Sequence, residues 1–195
     1  MSPRGAEKSD LNGRGATTPM LSATGAFGYD RAMPIDAPLA LYETSVPPEW
    51  LDVNDHMNVA YYVLAFDRAT DEFFSFIGIG SDYIQKYHCS MFALECHVTY
   101  SSELRLGDPI RITTQLLGFD AKKMHFCHRM YHDGDHSLAA TSEWMSVHIN
   151  MDSRRSAEFP ESRAQRLGEI AASHSSLPTP PGVGRVMSLK AGRPR

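Results

Sequence analysis

Apolar and polar positions change rhythm several times along the chain, and each change marks an element. Leu39 to Val46, "LALYETSV", reads as a strand stopped by Pro47-Pro48. From Asn58 to about Ile77 the run "NVAYYVLAFDRATDEFFSFI" keeps a helical period. Its apolar residues cover most of the circumference and leave a narrow polar stripe of Asp67, Arg68, Asp71 and Glu72. A helix apolar on nearly every side is expected to be wrapped by other structure rather than laid on a surface. Gly78 and Gly80 stop it.

Period two then takes over. "CSMFALECHVTYSS" sets Phe92, Leu94, Cys96, Val98 and Tyr100 against Ala93, Glu95, His97 and Thr99, and "LGDP" breaks it. "PIRITTQLLGF" ends at the "GFDAKK" hairpin, "KKMHFCHRMYH" runs to the tight turn at Asp133-Gly134, and "HSLAATSEWMSVHIN" completes a meander. One strand, one buried helix, and an antiparallel sheet long enough to curl round that helix make a single α+β domain over residues 38–158. Residues 1–37 are rich in Gly, Ser, Thr, Ala and Pro without periodicity and read as a disordered leader. Met20 and Met33 lie inside it, so the true start is expected downstream of Met1, which mass spectrometry of the native N terminus decides. Residues 159–195 read as a C-terminal extension, ending from Ser173 in a mobile Pro/Gly-rich tail with a basic finish.

The composition narrows the possible functions. In 195 residues, 42% hydrophobic content suffices for one sizeable core with loose ends. A net charge of -4 carries no basic stripe, which argues against a nucleic-acid partner. No apolar run reaches the roughly 20 residues of a bilayer span, and the N-terminal stretch lacks the apolar core of a secretory signal. Three cysteines (Cys89, Cys96 and Cys127) are odd in number and form no C-x-x-C pair, so a reducing cytoplasm is the simpler compartment. The histidines at 125, 128, 132 and 136 alternate across a strand and a turn without metal-ligand spacing, so no metal site is expected.

The chemistry concentrates in "LDVNDHMNVAYYVLAF", where a polar knot holding Asp52 and His56 leads directly into the helix. Asp and Asn often cap the free N–H groups of a helix start, and Asn58 fits that role. The additional acid and imidazole exceed what a cap needs. A turn residue and a bonded histidine are the plain reading of Asp52 and His56; a general base or nucleophile with its neighbour is the chemical one.

The order of elements, with "D-V-N-D-H-M-N" before the helix and "Y-S-S-E-L-R-L-G-D-P" after the long strand, resembles the hotdog-fold acyl-CoA thioesterases of the 4-hydroxybenzoyl-CoA thioesterase type. Asp52, His56, Met57, Asn58, Tyr100, Leu104, Gly107 and Asp108 carry the match, which covers roughly Leu39 to Met151. Asp55 stands where that family has a glycine, and Val59 where it often has a second asparagine. Asp tolerates the left-handed conformation better than most residues, so the turn is expected to survive. "VPPEWLDVNDHMNVAYYVLAF" and "LAATSEWMSVHI" are most similar to the betainyl-CoA thioesterases of carnitine breakdown.

The resemblance implies a hotdog fold and hydrolysis of a short acyl-CoA, with coenzyme A entering only as part of the substrate and no separate cofactor. It also implies a homodimer, or a dimer of dimers, with sites at the subunit boundary. By analogy the N–H near Val59 is the oxyanion donor, and Asp52 attacks the carbonyl or activates water. His56 orients the loop, contacts the thioester or bonds to backbone. A betainyl group carries a quaternary ammonium, which aromatic faces hold. The candidates are Trp50, Tyr61, Tyr62, Phe66, Phe92 and Trp144, with Glu95 as a charge partner. Lys122-Lys123 and Arg154-Arg155 are available for the phosphates of CoA. The alternatives are an aromatic or medium-chain acyl substrate, a hydratase, and a hotdog protein that binds acyl-CoA without cleaving it.

Overall fold

The computed structural model describes residues 35–189; residues 1–34 of the expected leader and 190–195 of the expected tail lie outside them. β1 (Leu39–Ser45), α1 (Val59–Phe76), β2 (Cys89–Tyr100), β3 (Pro109–Phe119), β4 (Lys123–His132) and β5 (Leu138–Asn150) form where the periodicity placed them. The sequence pattern did not announce α2 (Ser81–Tyr87), the short β6 (Arg155–Ser156) or α3 (Glu161–His174). The sheet runs β1-β3-β4-β5-β2 with every pairing antiparallel, and β6 adds to the end of β5. It curls around α1, which gives the α+β roll its shape.

Local chemistry sets the ends of α1. Asn58 is the N-cap, its Oδ1 accepting the Ala60 N–H at 3.0 Å. At the other end Gly78 adopts φ +77, where a Cβ would also stand 2.8 Å from the Arg163 guanidinium. Between these ends Phe66, Phe73, Ala65 and Ala69 are buried against Ile112, Leu116, Phe126 and Met130 of the sheet. The two alanines let the helix lie close to the strands.

The outer face of β3 is covered as well. α3 packs on it through Leu167 and Ile170, and His174 fixes its end. The imidazole Nδ1 accepts the Leu116 N–H at 3.0 Å, and Nε2–H donates to the Asp36 carbonyl at 3.1 Å. Burial holds its pKa below the usual histidine range. Part of the stretch expected to be a mobile tail is tied to the sheet: the Gln115 amide donates to Pro178 O at 3.3 Å, and the Gly184 N–H to Glu143 Oε2 at 2.8 Å. Gln115 and Thr113 are buried polar residues on that face, which accounts for a covering segment with carbonyls to offer.

β2 departs from simple alternation. A bulge between Ala93 and Glu95 leaves Leu94 as an extra residue opposite β5. Before it, Cys89, Met91 and Ala93 face α1; after it, Cys96, Val98 and Tyr100 do. Phe92, expected on the face of Cys96, is therefore on the opposite one. Among the described residues no helix is long and apolar enough to cross a membrane, and the three cysteines are free thiols.

Candidate active site

The loop from Leu51 to Asn58 doubles back on itself. Leu51 and Met57 form a bridge, the Asp52 N–H donates to His56 O at 3.0 Å, and the Asn58 N–H donates to Trp50 O at 2.9 Å. Asp55 turns the chain at φ +60, so the position that carries glycine in the family needs the left-handed region here too, and Asp supplies it. Asp52 Oδ1 accepts the Asn54 N–H at 2.8 Å, which orients the carboxylate and leaves Oδ2 without a partner among the described residues. His56 Nδ1 stands 3.7 Å from Asp52 Oδ1, beyond hydrogen-bond length but close enough to be felt when protonated.

This folding-back sets Trp50 against the cap of α1 and Asp52 against His56, and the backbone donors at the helix start can be accounted for one by one. The Met57 N–H goes to Leu104 O at 2.7 Å, the Asn58 N–H to Trp50 O, the Ala60 N–H to Asn58 Oδ1, and the Tyr61 N–H to Asn58 O at 2.9 Å. Among the described residues the Val59 N–H is left over, on a residue 60% exposed. It sits at the positive end of the α1 dipole. An oriented carboxylate in the loop that leads into an open, polarised donor supplies the two groups that attack on a carbonyl needs.

A second loop braces this one. The Tyr62 hydroxyl accepts the Leu104 N–H at 3.1 Å and donates to Ser102 O at 3.3 Å, with Tyr100 edge-on at 5.3 Å between ring centroids. The Asp108 carboxylate accepts the Arg105 N–H at 2.8 Å, Gly107 turns at φ +81, and Leu104 is buried. The residues of the "Y-S-S-E-L-R-L-G-D-P" segment thus hold the carbonyl that holds Met57. Tyr62, a candidate for substrate contact, is bonded on both sides of its oxygen, and burial raises its pKa.

The other substrate candidates do not converge. Trp50 is 4% exposed, stacked on Tyr61 at 5.6 Å, and the Arg68 guanidinium is 5.6 Å from its ring centroid. A ring that already holds a cation, from a side chain on α1, is a poor cage for another. Phe66 is fully buried against His128. Phe92, moved outward by the bulge, lies under Arg154. Glu95 also faces away from α1, opposite Met145, while the next residue, Cys96, faces inward beside Trp144. Trp144 does face α1, stacked on Phe126. Lys122-Lys123 and Arg154-Arg155 belong to the end of the sheet near the C terminus of α1, away from Asp52.

The histidines are dispersed. His125 bonds Glu143 at 2.7 Å on the outer face, while His128 is buried between Thr70 and Thr114 at 2.9 Å each. The Cys127 thiol is pushed up to about 12 by burial, and Cys96 is raised by the same cause, which disfavours either as a nucleophile.

A cavity of about 440 Å³ opens on the other half of α1, between the helix and the start of β2. Asp67, Thr70, Asp71, Phe74, Met91 and Trp144 are among its lining residues. Asp52, His56, Asn58 and Val59 are not. The signal that could have found Asp67 is its spacing from Val59 and Val63, four residues apart each, on one side of the helix.

The thioesterase-like superfamily matches residues 46–167. The betainyl-CoA thioesterase of Pseudomonas aeruginosa is 41% identical over 151 residues, which are 77% of this chain and 95% of the relative. An L-carnitine dehydrogenase/betainyl-CoA thioesterase of Rhizobium meliloti is 31% identical over 82% of this chain, and the chain spans 32% of that longer protein. A hypothetical Staphylococcus aureus protein, solved in complex with CoA, superposes with a TM-score of 0.70 at 30% identity, covering 81% of this chain and 100% of its own. By sequence, by fold and by the match across its ordered core, the chain belongs to the thioesterase-like superfamily of hotdog-fold acyl-CoA thioester hydrolases.

Proposed function

We propose that the chain hydrolyses betainyl-CoA to betaine and CoA at the start of α1. The observation that carries this reading is the loop that folds back before α1, with an Asp52 carboxylate oriented by Asn54 and a Val59 N–H that has no partner among the described residues. The thioester carbonyl takes the Val59 N–H, and negative charge growing on its oxygen meets the helix dipole. Asp52 Oδ2 then acts in one of two ways. It attacks the carbonyl carbon, expelling CoA thiolate and leaving an anhydride that water opens, or it takes a proton from a water that attacks directly. In both, the C–S bond breaks, the oxygen of one water ends on the product carboxylate, and one of that water's protons goes to the CoA thiolate, which leaves as thiol, while the other is lost to solvent. The betainyl specificity is supported by the Pseudomonas aeruginosa relative.

The same reading includes a pair of chains joined edge to edge. Among the described residues β2 pairs only with β5, which leaves one side of a 12-residue strand without a partner strand there. Leu94, Tyr100, Val59 and Val63 are exposed there and on the adjoining side of α1. A long unpaired edge beside apolar side chains favours pairing with a second copy. Three free thiols suit a reducing cytoplasm as the place of action.

The test is release of free CoA from betainyl-, acetyl-, hydroxybenzoyl- and longer acyl-CoA, with and without EDTA. Betainyl-CoA is expected to be cleaved fastest, and EDTA to leave the rate unchanged, since the scheme uses no metal. Fastest release from an aromatic or longer thioester would replace the substrate. Asp52→Asn is expected to fold normally and lose at least about 100-fold in kcat; a near wild-type rate would remove the mechanism.

A further inference from the structure

The reading above seats the thioester carbonyl on the Val59 N–H and leaves the acyl head without a partner. A quaternary ammonium donates no hydrogen bond, so it is suited by the face of an accessible ring that holds no other cation. Four aromatic side chains are exposed among the described residues: Tyr87, Phe92, Tyr100 and Phe119. Lys86 already lies over Tyr87, and Arg154 over Phe92. Phe119 pairs with Met124 across the β3–β4 hairpin, at the end of the sheet near the C terminus of α1. Tyr100 remains. It is 49% exposed, and among the described residues no Lys or Arg stands over its ring.

Tyr100 also stands at the right end of the helix. It is the last residue of β2, and the loop after it braces the start of α1: Leu104 O takes the Met57 N–H, two residues before Val59. The Tyr62 hydroxyl bonds Ser102 O and the Leu104 N–H of the same loop. Tyr62 follows Val59 by three residues, on the adjoining part of the first turn, and its side chain leans back towards the N terminus. Tyr100 packs on that ring edge-on, at 5.3 Å between centroids, which leaves at least one of its own faces uncovered by Tyr62. A betainyl nitrogen lies about 6 Å from the donor when its carbonyl is bonded there, from ordinary bond lengths and a hydrogen bond of about 2.9 Å. A ring attracts a cation within about 6 Å of its centroid, and the two lengths together reach a ring packed on the first turn. The local charge has the sign that the head needs. Burial, and after it the carboxylates of Glu103 and Asp108, raise the Tyr62 phenol, while Arg105, the cation of this loop, is paired with Glu103. The Tyr100 phenol is raised too, first by burial, so it stays protonated at neutral pH and adds no charge of its own.

We infer that the exposed face of Tyr100, at the end of β2 beside the first turn of α1, receives the quaternary ammonium head of the acyl group and sets the preference for a cationic substrate. This rests on the thioesterase reading and adds the residue that makes it selective. The test compares betainyl-CoA with 3,3-dimethylbutyryl-CoA, in which carbon replaces nitrogen and the shape is kept while the charge is lost. Wild type is expected to favour betainyl-CoA at least about fivefold in kcat/KM. Tyr100→Phe keeps the ring and is expected to keep most of that ratio, whereas Tyr100→Leu is expected to bring it close to one. The ratio is read within each variant, so a weakened fold or pairing that slows both thioesters alike does not move it. A ratio left unchanged by Tyr100→Leu overturns the inference. So does a ratio that falls as far in Tyr100→Phe, since the hydroxyl and not the face would then be at work. A wild type that cleaves both thioesters equally also overturns it and leaves the hydrolase reading standing. A wild type that cleaves neither removes that reading and this one together.

Discussion

His128 shows how one residue ties stability to pH. Its ring is fully buried between Phe66 and Phe126. The Thr70 hydroxyl donates to Phe66 O at 2.9 Å, so it accepts from His128 Nε2–H; Nδ1 then accepts from Thr114. Burial lowers the pKa to about 3 from 6.5. A depressed histidine keeps its contribution above the unfolded value and loses it as the unfolded chain takes up a proton that the folded one refuses. Stability is therefore expected to fall by roughly 1.4 kcal/mol per pH unit below about 6.5, and His128→Gln to flatten that slope. Urea midpoints between pH 7 and 4.5 measure it, and equal midpoints across that range would contradict the assignment. At this scale the polar knot was legible, because Asp55 and Asn58 do what turn and cap chemistry asks of them. The partners of Trp50, Tyr62 and Phe92 were not, since each is set by residues distant in sequence or by a bulge.

Among the elements, α1 is tied to the loop between β2 and β3 by hydrogen bonds. Tyr62 joins them: its hydroxyl holds Leu104, and Leu104 O holds the residue before the cap. Tyr62→Phe leaves the buried Leu104 N–H without its partner, at about 1–3 kcal/mol, and frees the loop that fixes Met57. Thermal denaturation is expected to show a lowered Tm, and CoA release a fall in kcat larger than any rise in KM. An unchanged kcat would mean that the brace serves stability alone. Long strands bounded by Gly and Asp turns could be read directly from period two. The β2 bulge could not, because one extra residue in an alternating run leaves both halves looking regular while exchanging their faces. α3 was hidden for a different reason: it buries a narrow stripe centred on Leu167 and Ile170, with Gly168 between them, so its period is faint.

For the molecule as a whole, the proposed pairing of chains rests on the edge of β2. Leu94, the extra residue of the bulge, is 57% exposed on that edge. In solution the mass is expected to be at least twice the 21.7 kDa of one chain. Leu94→Lys is expected to shift it to that of one chain and to lower CoA release, because the apolar side of α1 is then left to water. Light scattering coupled to gel filtration measures the first effect, and a wild type of single-chain mass would dismiss the pairing. The wrapped helix and curled sheet followed from patterning alone. The cavity at Asp67 did not, because its floor and walls come from α1, the start of β2 and β5, which only the closed sheet brings together.

The extended backbone of Asn58, at φ -66 and ψ 144, has a practical consequence. Residues that precede proline favour this region, and the first position of a helix accepts proline readily. Val59→Pro therefore deletes a single hydrogen from the main chain while the helix and its cap stay in place. Tm is expected to hold, and turnover to drop about 100- to 1000-fold. If turnover survived the loss of that one atom, the carbonyl would have to be polarised elsewhere.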